Sequence, residues 1–394
     1  MPSQNIFALV RSRSAEIIDA ASLRGKLARR QNLRVKLGID PTTPDLHLGH
    51  VVPLLMLRAF QDAGHRAVLI IGDFTARIGD PAGKSAARRA MTPAEAKANE
   101  RTYRRQIGRI LDLKRAEVRH NSEWFSKMRL GEFLNILMHF PLRAAIERED
   151  FQKRLRAGKG VGLHEAMYPV LQAYDSVVVR ADVELGSLDQ KLNLLAGREL
   201  HSKLGRIPQD LVLLPYLIGL DGTQKMSKTA GNTINLNDSA EDVFGKIMAI
   251  PDRLIPNYAE LAAWLSAPAL GAIRRRMARR ENPRDIKLDV AEAVVRRYHG
   301  AGTARVARES FIRLFSRREA GAGLPVLGLK PGMHRGLDLV TALPGAPSRS
   351  AARRLLMQGA VEVDGHKLKS AAETAHLRPG SIIRLGKRRF FRVR

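Results

Sequence analysis

Lys36-Leu37-Gly38-Ile39-Asp40-Pro41-Thr42-Thr43-Pro44-Asp45-Leu46-His47-Leu48-Gly49-His50 reads as a strand, a proline-broken loop and the start of a helix. Leu33, Val35, Leu37 and Ile39 are apolar at a spacing of two, the period of a β-strand. Pro41 and Pro44 stop it. The run from Val51 to Phe60 is long and apolar enough for a helix lying on a sheet, with Pro53 expected in its first turn, where a missing N–H costs little. Two histidines three residues apart then sit at a helix N-terminus, where free backbone N–H groups and a positive dipole end suit a phosphate. Working outward, Arg66 to Ile71 is a short buried-type strand. Strand, helix and strand in so short a span make a βαβ unit and predict a parallel sheet.

Upstream, residues 11–32 read as an amphipathic helix entering the first strand. Downstream, Gly79 to Ser85 is a turn followed by a basic helical region, residues 115–120 suit a strand, and about 120–175 form a charged helical insertion. Val177 to Leu185 reads as a strand, Leu188 to Leu204 as a helix, and Leu211 to Leu214 as a last parallel strand. The fold class predicted is α/β: a Rossmann-like open parallel sheet with a helical insertion over residues 1–222. A polar loop and an all-helical domain follow over 223–320, with weak breaks at Pro251, Pro256, Pro268 and Pro283. Residues 321–336 read as a Gly- and Pro-rich linker, and 337–394 as a small α+β domain. The last 50 residues carry twelve Lys/Arg against three Asp/Glu. A helix over Ser348–Gln358 sets Arg349, Arg353 and Arg354 beside apolar Leu355 and Leu356. Asp364-Gly365 is a hairpin turn, with Lys367 and Lys369 after it, and Ile382–Leu385 and Phe390–Val393 are short strands. A basic helix on a small sheet suits phosphate and shape reading of RNA.

The 394 residues hold 67 Lys+Arg against 39 Asp+Glu, a formal charge of +28. That surplus points to a polyanion, most simply nucleic acid. No apolar run approaches the roughly 18–20 residues that span a bilayer, and the start has no signal-peptide pattern, so a cytoplasmic protein without a membrane partner is expected. With no Cys, disulfides and thiolate metal sites are excluded.

His47 and His50 could ligate a metal at helical spacing, but no carboxylate or third His accompanies them, and no protein-bound metal is expected. Gly49 between them lets a nucleotide approach the backbone. Lys225-Met226-Ser227-Lys228-Thr229 places two ammoniums and two hydroxyls in five residues. Alone it reads as a solvated lysine loop. It follows the last parallel strand, however, and ligands of open α/β sheets gather at the carboxyl ends of strands, where the two motifs could meet. Gly79-Asp80-Pro81-Ala82-Gly83-Lys84-Ser85 fails as a phosphate loop, because three residues separate the glycines where four are needed. Tyr168, Gln172 and Asp175 lie at i, i+4 and i+7, on one helical face amid apolar residues. Asp189-Gln190 after Gly186 adds a polar turn near a strand end.

These residues carry a family resemblance. His47-Leu-Gly-His50 and Lys225-Met-Ser-Lys-Thr229 resemble the two signature motifs of class I aminoacyl-tRNA synthetases. Tyr168 to Asp175 and Gly186 to Gln190 resemble the tyrosine and adenylate pocket of bacterial tyrosyl-tRNA synthetases, and the C-terminal unit resembles their S-four-type RNA-binding domain. The resemblance runs from about residue 30 to 394. It implies ATP-dependent formation of tyrosyl-adenylate, then transfer of tyrosine to the 3′ end of tRNA(Tyr), in a homodimer. By that resemblance Asp80, Tyr168 and Gln172 would hold the substrate ammonium, Asp175 the phenolic hydroxyl and Gln190 the carboxylate. Asp189 would lie by the ribose, and Gly186 would contact ATP. Thr42, His47, Gly49 and His50 would contact ATP, with Thr42 and His47 on the departing phosphates and Gly38 and Asp40 as the floor. Lys225, Lys228 and Thr229 would close over the phosphates, helped by Lys84 and Arg88. Mg²⁺ would travel with ATP, needing no dedicated protein site. Arg349, Arg353, Arg354, Lys367 and Lys369 would meet tRNA.

In the commonest form of the family a tyrosine shares the substrate hydroxyl with the aspartate; Lys36 stands there here. Leu37 and Pro53 differ as well, and Thr229 replaces a serine while keeping its hydroxyl. Lys36 to Asp40 and Ile71 to Asp80 resemble a second bacterial subgroup. A tryptophanyl-tRNA synthetase shares fold and motifs, but Asp175 and the basic C-terminal domain favour tyrosine. The intact His and Lys motifs speak against a non-catalytic RNA-binding or splicing protein built on the same body.

Overall fold

The computed structural model describes residues 3–29, 32–80, 91–146, 149–315, 324–346, 348–386 and 389–394. The chain divides into two compact units, residues 1–301 and 302–394.

The first unit is built on six strands: β1 (Glu16–Ile18), β2 (Arg34–Ile39), β3 (Arg66–Ile71), β4 (Glu117–His120), β5 (Val183–Ser187) and β6 (Asp210–Leu214), in the order β1-β6-β5-β2-β3-β4. All neighbours pair in parallel except β1, which runs antiparallel along β6. The chain leaves β2 toward β3 and β4 on one side, then returns to β5 and β6 on the other. That reversal opens a crevice at the carboxyl ends of β2 and β5, the usual ligand place in such sheets. β2 and β3 are central, so their residues are buried on both faces and the apolar run Val68–Ile71 is continuous.

Several elements differ from the sequence reading. Residues 11–32 are not one helix. A helix Ser3–Arg13 is followed by β1 and a second helix, Ala20–Ala28, begun by Asp19, whose carboxylate accepts from Ser22 N. Strand β1 covers the otherwise open edge of β6. Val177 belongs to the helix Leu163–Val178, not to a strand. The chain reverses at Arg180 (φ 50°) before β5 begins at Val183. β-Branched residues there pack a helix because burial outweighs intrinsic propensity. Pro53 lies in the second turn of the helix Leu48–Asp62, because His47 is the N-cap and the helix starts before His50.

The insertion holds helices Leu130–Leu137, Leu142–Ile146 and Glu149–Arg156, which precede Leu163–Val178. After β6, helices include Ala240–Met248, Ala267–Ala278 and Pro283–His299. Pro268 and Pro283 start helices rather than break them.

The second unit contains a five-stranded sheet and a separate two-stranded one, and both reach into the stretch read as a linker. β7 (Val326–Leu327) pairs in parallel with β13 (Arg389–Val393), and β8 (Gly332–Arg335) pairs with β11 (Thr374–Leu377). The other strands are β9 (Val361–Val363), β10 (His366–Leu368) and β12 (Ile382–Leu385). The Asp364-Gly365 turn takes positive φ at both residues, 46° and 86°, which joins β9 to β10 as a tight hairpin. Helices Gly336–Thr341 and Arg349–Met357 close one core around Leu356, Val361, Leu377 and Ile383.

Candidate active site

A cavity of about 300 Å³ lies at the β2/β5 reversal. Its walls bring together most of the residues singled out from sequence: Gly38, Asp40, Thr42, Gly49, His50, Asp80, Tyr168, Gln172, Asp175, Gly186, Asp189, Gln190 and Lys225. Lys84 and Arg88 lie outside the described residues.

One end is a buried carboxylate. Asp175 is 5 % exposed. Its Oδ1 accepts from Trp124 Nε1 at 3.0 Å and its Oδ2 from Asn121 Nδ2 at 3.3 Å. Burial pushes its pKa up to about 7, against the pull of Lys36 and of these two donors. From Asn121 a chain of hydrogen bonds runs along the cavity. Asn121 Nδ2 donates to Thr75 Oγ1 (2.9 Å), Thr75 Oγ1 to Asp40 Oδ1 (2.8 Å), and Tyr168 OH to Asp40 Oδ2 (2.9 Å). Burial, with Asp40 and Asp80 nearby, raises the Tyr168 phenol well above its ordinary value, so it stays protonated. A side chain at Gly72 would collide with the Asp40 carboxylate and the Thr75 hydroxyl, so only glycine lets this chain pass the end of β3.

A second network fixes the wall opposite. Gln190 Nε2 donates to Asp80 Oδ2 at 2.6 Å, while Asn193 Nδ2 donates to both Gln172 Oε1 (3.0 Å) and Gln190 Oε1 (3.2 Å). The amides of Gln172 and Gln190 are thereby held in fixed orientations on the cavity wall, each with a spare hydrogen on Nε2.

The other end is basic. Lys225 Nζ pairs with Asp189, whose Oδ1 also accepts from Ser187 Oγ at 2.5 Å. Lys228 Nζ donates to Thr43 Oγ1 at 2.6 Å and to the carbonyl of Asp45, which ties the lysine loop to the proline loop. Lys228 and Thr229 are not on the cavity wall, and Thr229 is exposed. The segment that follows the lysine loop pairs by its backbone with the first motif: Leu48 N donates to Ile234 O (2.9 Å) and Leu236 N to Leu46 O (2.8 Å). The loop itself is held by Asn232, whose Oδ1 accepts from Ser227 N at 2.8 Å and whose Nδ2 donates to Asp221 and to Lys225 O.

His50 lines the cavity, whereas His47 sits behind it, their ring centres 3.8 Å apart. Burial first, and then the adjacent lysines, drive the pKa of His50 down to about 4. For His47, burial and then His50 drive it to about 2. Both are neutral imidazoles at neutral pH. His50 Nδ1 accepts from His47 N (3.3 Å), so its proton is on Nε2 and can be donated to a ligand. Among the described residues no group of three or more His, Asp or Glu is placed to hold a metal ion. The site has donors and cations at one end and a buried acceptor at the other.

The family of class I tRNA synthetases for W and Y matches residues 28–316, and the S4 domain matches residues 335–381. A "Tyrosine--tRNA ligase" of Thermotoga maritima is 41% identical over 96% of this chain and 94% of its own length. One from Acidithiobacillus ferrooxidans is 42% identical over 100% and 98%. The chain belongs to the tyrosine–tRNA ligase family. A solved tyrosyl-tRNA synthetase of Archaeoglobus fulgidus, described as complexed with L-tyrosine, shares the fold at 22% identity, with a TM-score of 0.61 over 78% of this chain and 99% of that one.

Sequence reasoning missed the residues that support the family's motifs: Asn121 and Trp124 on Asp175, Thr75 on Asp40, Asn193 between the two glutamines, and Asn232 in the lysine loop. Asn121 and Trp124 directly follow the carboxyl end of β4, the position where such sheets collect ligand groups, and that signal could have found them. Arg349, Arg353, Arg354, Lys367 and Lys369 are all exposed, on the helix Arg349–Met357 and around the edge strand β10.

Proposed function

We propose that this protein activates L-tyrosine with ATP to tyrosyl-adenylate and passes the tyrosyl group to the 3′ end of tRNA(Tyr). The observation that carries the reading is the two-ended cavity: buried Asp175 faces one end and Lys225 with neutral His50 the other. Tyrosine fits with its phenol toward Asp175, its ammonium among Asp80, Tyr168 and Gln172, and its carboxylate near Gln190. Asp189 and Gly186 then meet the ribose, and Thr42, His50 and Lys225 the phosphates, with His47 packed behind His50. Lys228 and Thr229 reach the phosphates by movement of their loop. The tyrosine carboxylate, already ionised at neutral pH, attacks the α-phosphorus and pyrophosphate leaves, so no protein base is required. The chain's contribution is positioning plus stabilisation of charge on the departing phosphates. Mg²⁺ would arrive with ATP as part of the substrate and would offset the negative charge of its phosphates.

The exposed basic groups of residues 337–394 are read as the tRNA contact. A homodimer is read from an apolar strip on the insertion: Leu130, Leu134, Met138 and Leu142 are 73%, 50%, 77% and 68% exposed. Leu130 and Leu134 lie one turn apart on the helix Leu130–Leu137, Met138 is its C-cap and Leu142 opens the next helix; four large apolar side chains so close together in water mark an interface, and a second copy of the same surface is their self-complementary cover.

Tyrosine-dependent ATP–pyrophosphate exchange tests the activity. Exchange with tyrosine and none with tryptophan is expected; no exchange with tyrosine, or equal exchange with both, refutes the reading.

A further inference from the structure

The helix Pro93–Ile107 rides on the proline loop that leads into His47, and its inner face holds that loop by the backbone. Asn99 Nδ2 donates to the carbonyl of Pro41 at 2.9 Å and Gln106 Nε2 to that of Pro44 at 3.0 Å, where Thr102 Oγ1 donates as well. Gln106 Oε1 accepts from Leu46 N at 2.9 Å. Tyr103, which is buried, meets the Thr43 hydroxyl at 3.2 Å. Thr42, between the two held carbonyls, lines the cavity, so this helix is part of the rim at the phosphate end. Its outer face is of another kind. Lys97, Arg101, Arg104 and Arg105 are all exposed. Helical geometry puts them within an arc of about 100° and a length of about 12 Å. The residues beside them on that face are Ala94, Ala98 and Gly108, which add no charge. The two acids of the helix are committed elsewhere, Glu95 to the capping box with Thr92 and Glu100 to His120 Nε2 at 2.6 Å. Among the described residues none of the four cations is in an ion pair.

We infer that this face is a second tRNA contact: Lys97, Arg101, Arg104 and Arg105 bind backbone phosphates of the acceptor arm as its 3′ end enters the cavity. This rests on reading the protein as a tRNA-charging enzyme. Like charges at i, i+3 and i, i+4 destabilise a helix, and Arg101 has Lys97 on one side and Arg104 and Arg105 on the other. A helix carrying those pairs with no acid among them gains stability from an anion laid along it. A line of charge suits a strand of phosphates better than one small anion. The face offers no aromatic platform on which a base could stack, and contacts to phosphate position an RNA without reading its sequence. Tyrosine and ATP lie inside the cavity, whereas these cations point away from the proline loop. The tyrosyl group is taken from within the cavity, so the 3′ end must reach in and the arm behind it must cross the rim. Arg109, next along the chain, is not one of the set, because its guanidinium is tied to the carbonyls of Leu236 and Tyr298.

The probe is an RNA hairpin made of the acceptor stem and 3′ end of tRNA(Tyr), titrated with the full chain by fluorescence anisotropy over a range of salt. The variant is Arg101→Gln with Arg104→Gln and Arg105→Gln. Three lost phosphate contacts are expected to weaken hairpin binding roughly 10-fold at low salt and to flatten the slope of log affinity against log salt by about 2 to 3. Arg101→Lys with Arg104→Lys and Arg105→Lys is expected to bind like the wild type, because an ammonium serves a phosphate as a point charge. Tyrosine-dependent exchange keeps its KM for tyrosine and for ATP in both variants, which also shows that the fold is intact. Equal affinity and equal salt slope in wild type and glutamine variant overturn the inference and leave a solvated face. A raised KM for ATP with hairpin binding intact overturns it too, since ATP would then be the anion met. Weaker binding of whole tRNA(Tyr) with hairpin binding intact overturns it as well, by placing another part of the RNA here. A wild type without tyrosine-dependent exchange refutes the enzyme reading itself, and hairpin binding, measured without tyrosine or ATP, is scored apart from it.

Discussion

Trp124→Phe perturbs the acceptor of the substrate hydroxyl without touching substrate. Trp124 Nε1 is the donor to Asp175 Oδ1, at 3.0 Å, and it is one of the forces holding the Asp175 pKa down to about 7 against burial. A hydrogen bond to a charged group contributes about 1.5–3 kcal/mol when well made. Taking the low end because Trp124 is half-buried, its loss raises the Asp175 pKa by about one unit, since one unit corresponds to about 1.4 kcal/mol. Only ionised Asp175 accepts the phenolic proton. The ionised fraction at pH 7 then falls from about one half to about one in eleven, a loss of about fivefold in kcat/KM for tyrosine. At pH 8 the loss is about twofold and at pH 9 it is nearly gone. The assay is the pH profile of kcat/KM for tyrosine in pyrophosphate exchange, for wild type and variant. A loss that is the same at every pH, or a profile whose midpoint does not move, would refute the reasoning, because it would mean that Trp124 acts by packing and not through the charge on Asp175.

Asp175→Ala should collapse the preference for tyrosine over phenylalanine while leaving the KM for ATP nearly unchanged, and an intact preference would remove Asp175 as the hydroxyl partner. The depressed pKa of His50 sets an acid limb of stability. The unfolded imidazole titrates near 6.5 and the folded one at about 4, so the contribution is full above about pH 6.5 and is lost as pH falls through about 4. Urea midpoints from pH 8 to 4 should therefore decline less in His50→Asn than in wild type, and parallel curves would contradict this. Removing residues 324–394 should cut tRNA charging by at least tenfold and spare tyrosine-dependent exchange, given where the exposed basic groups concentrate; equal loss of both activities tells against that division. Leu134→Glu should shift the protein from dimer to monomer in sedimentation equilibrium, and a monomeric wild type would sink the interface.

Periodicity and turn chemistry carry far along this chain. β3 and β6 read directly because buried parallel strands are continuous apolar runs between proline and glycine stops, and β2 because its apolar residues recur at a spacing of two. The Asp364-Gly365 hairpin read as directly, because few residue pairs tolerate its backbone. The N-terminal segment did not. The three residues of β1 have no strand signal of their own, and only the open edge of β6 makes them one. β7 and β8 were hidden for the same reason: a short strand in a Gly- and Pro-rich stretch is defined by its partner.

The site divides along the same line. Sequence by itself determined which residues could do the chemistry, since spacing within one element is local: Tyr168, Gln172 and Asp175 on one helical face, His47 and His50 at one helix start, and Lys225 and Lys228 in one loop. Tertiary structure alone decided what each of them meets. Whether Asp175 is a buried acceptor held near pH 7, whether His50 rather than His47 faces the cavity, and what neutralises Lys36 all depend on groups far away in the chain: Trp124, Ile234 and Glu184. The physical reason is that periodicity encodes the direction of a side chain from its own backbone, whereas pKa, burial and hydrogen-bond partner are properties of the space that other segments fill. In β2, sequence placed Lys36 between apolar Val35 and Leu37, and only the register with β5 set Glu184 against it.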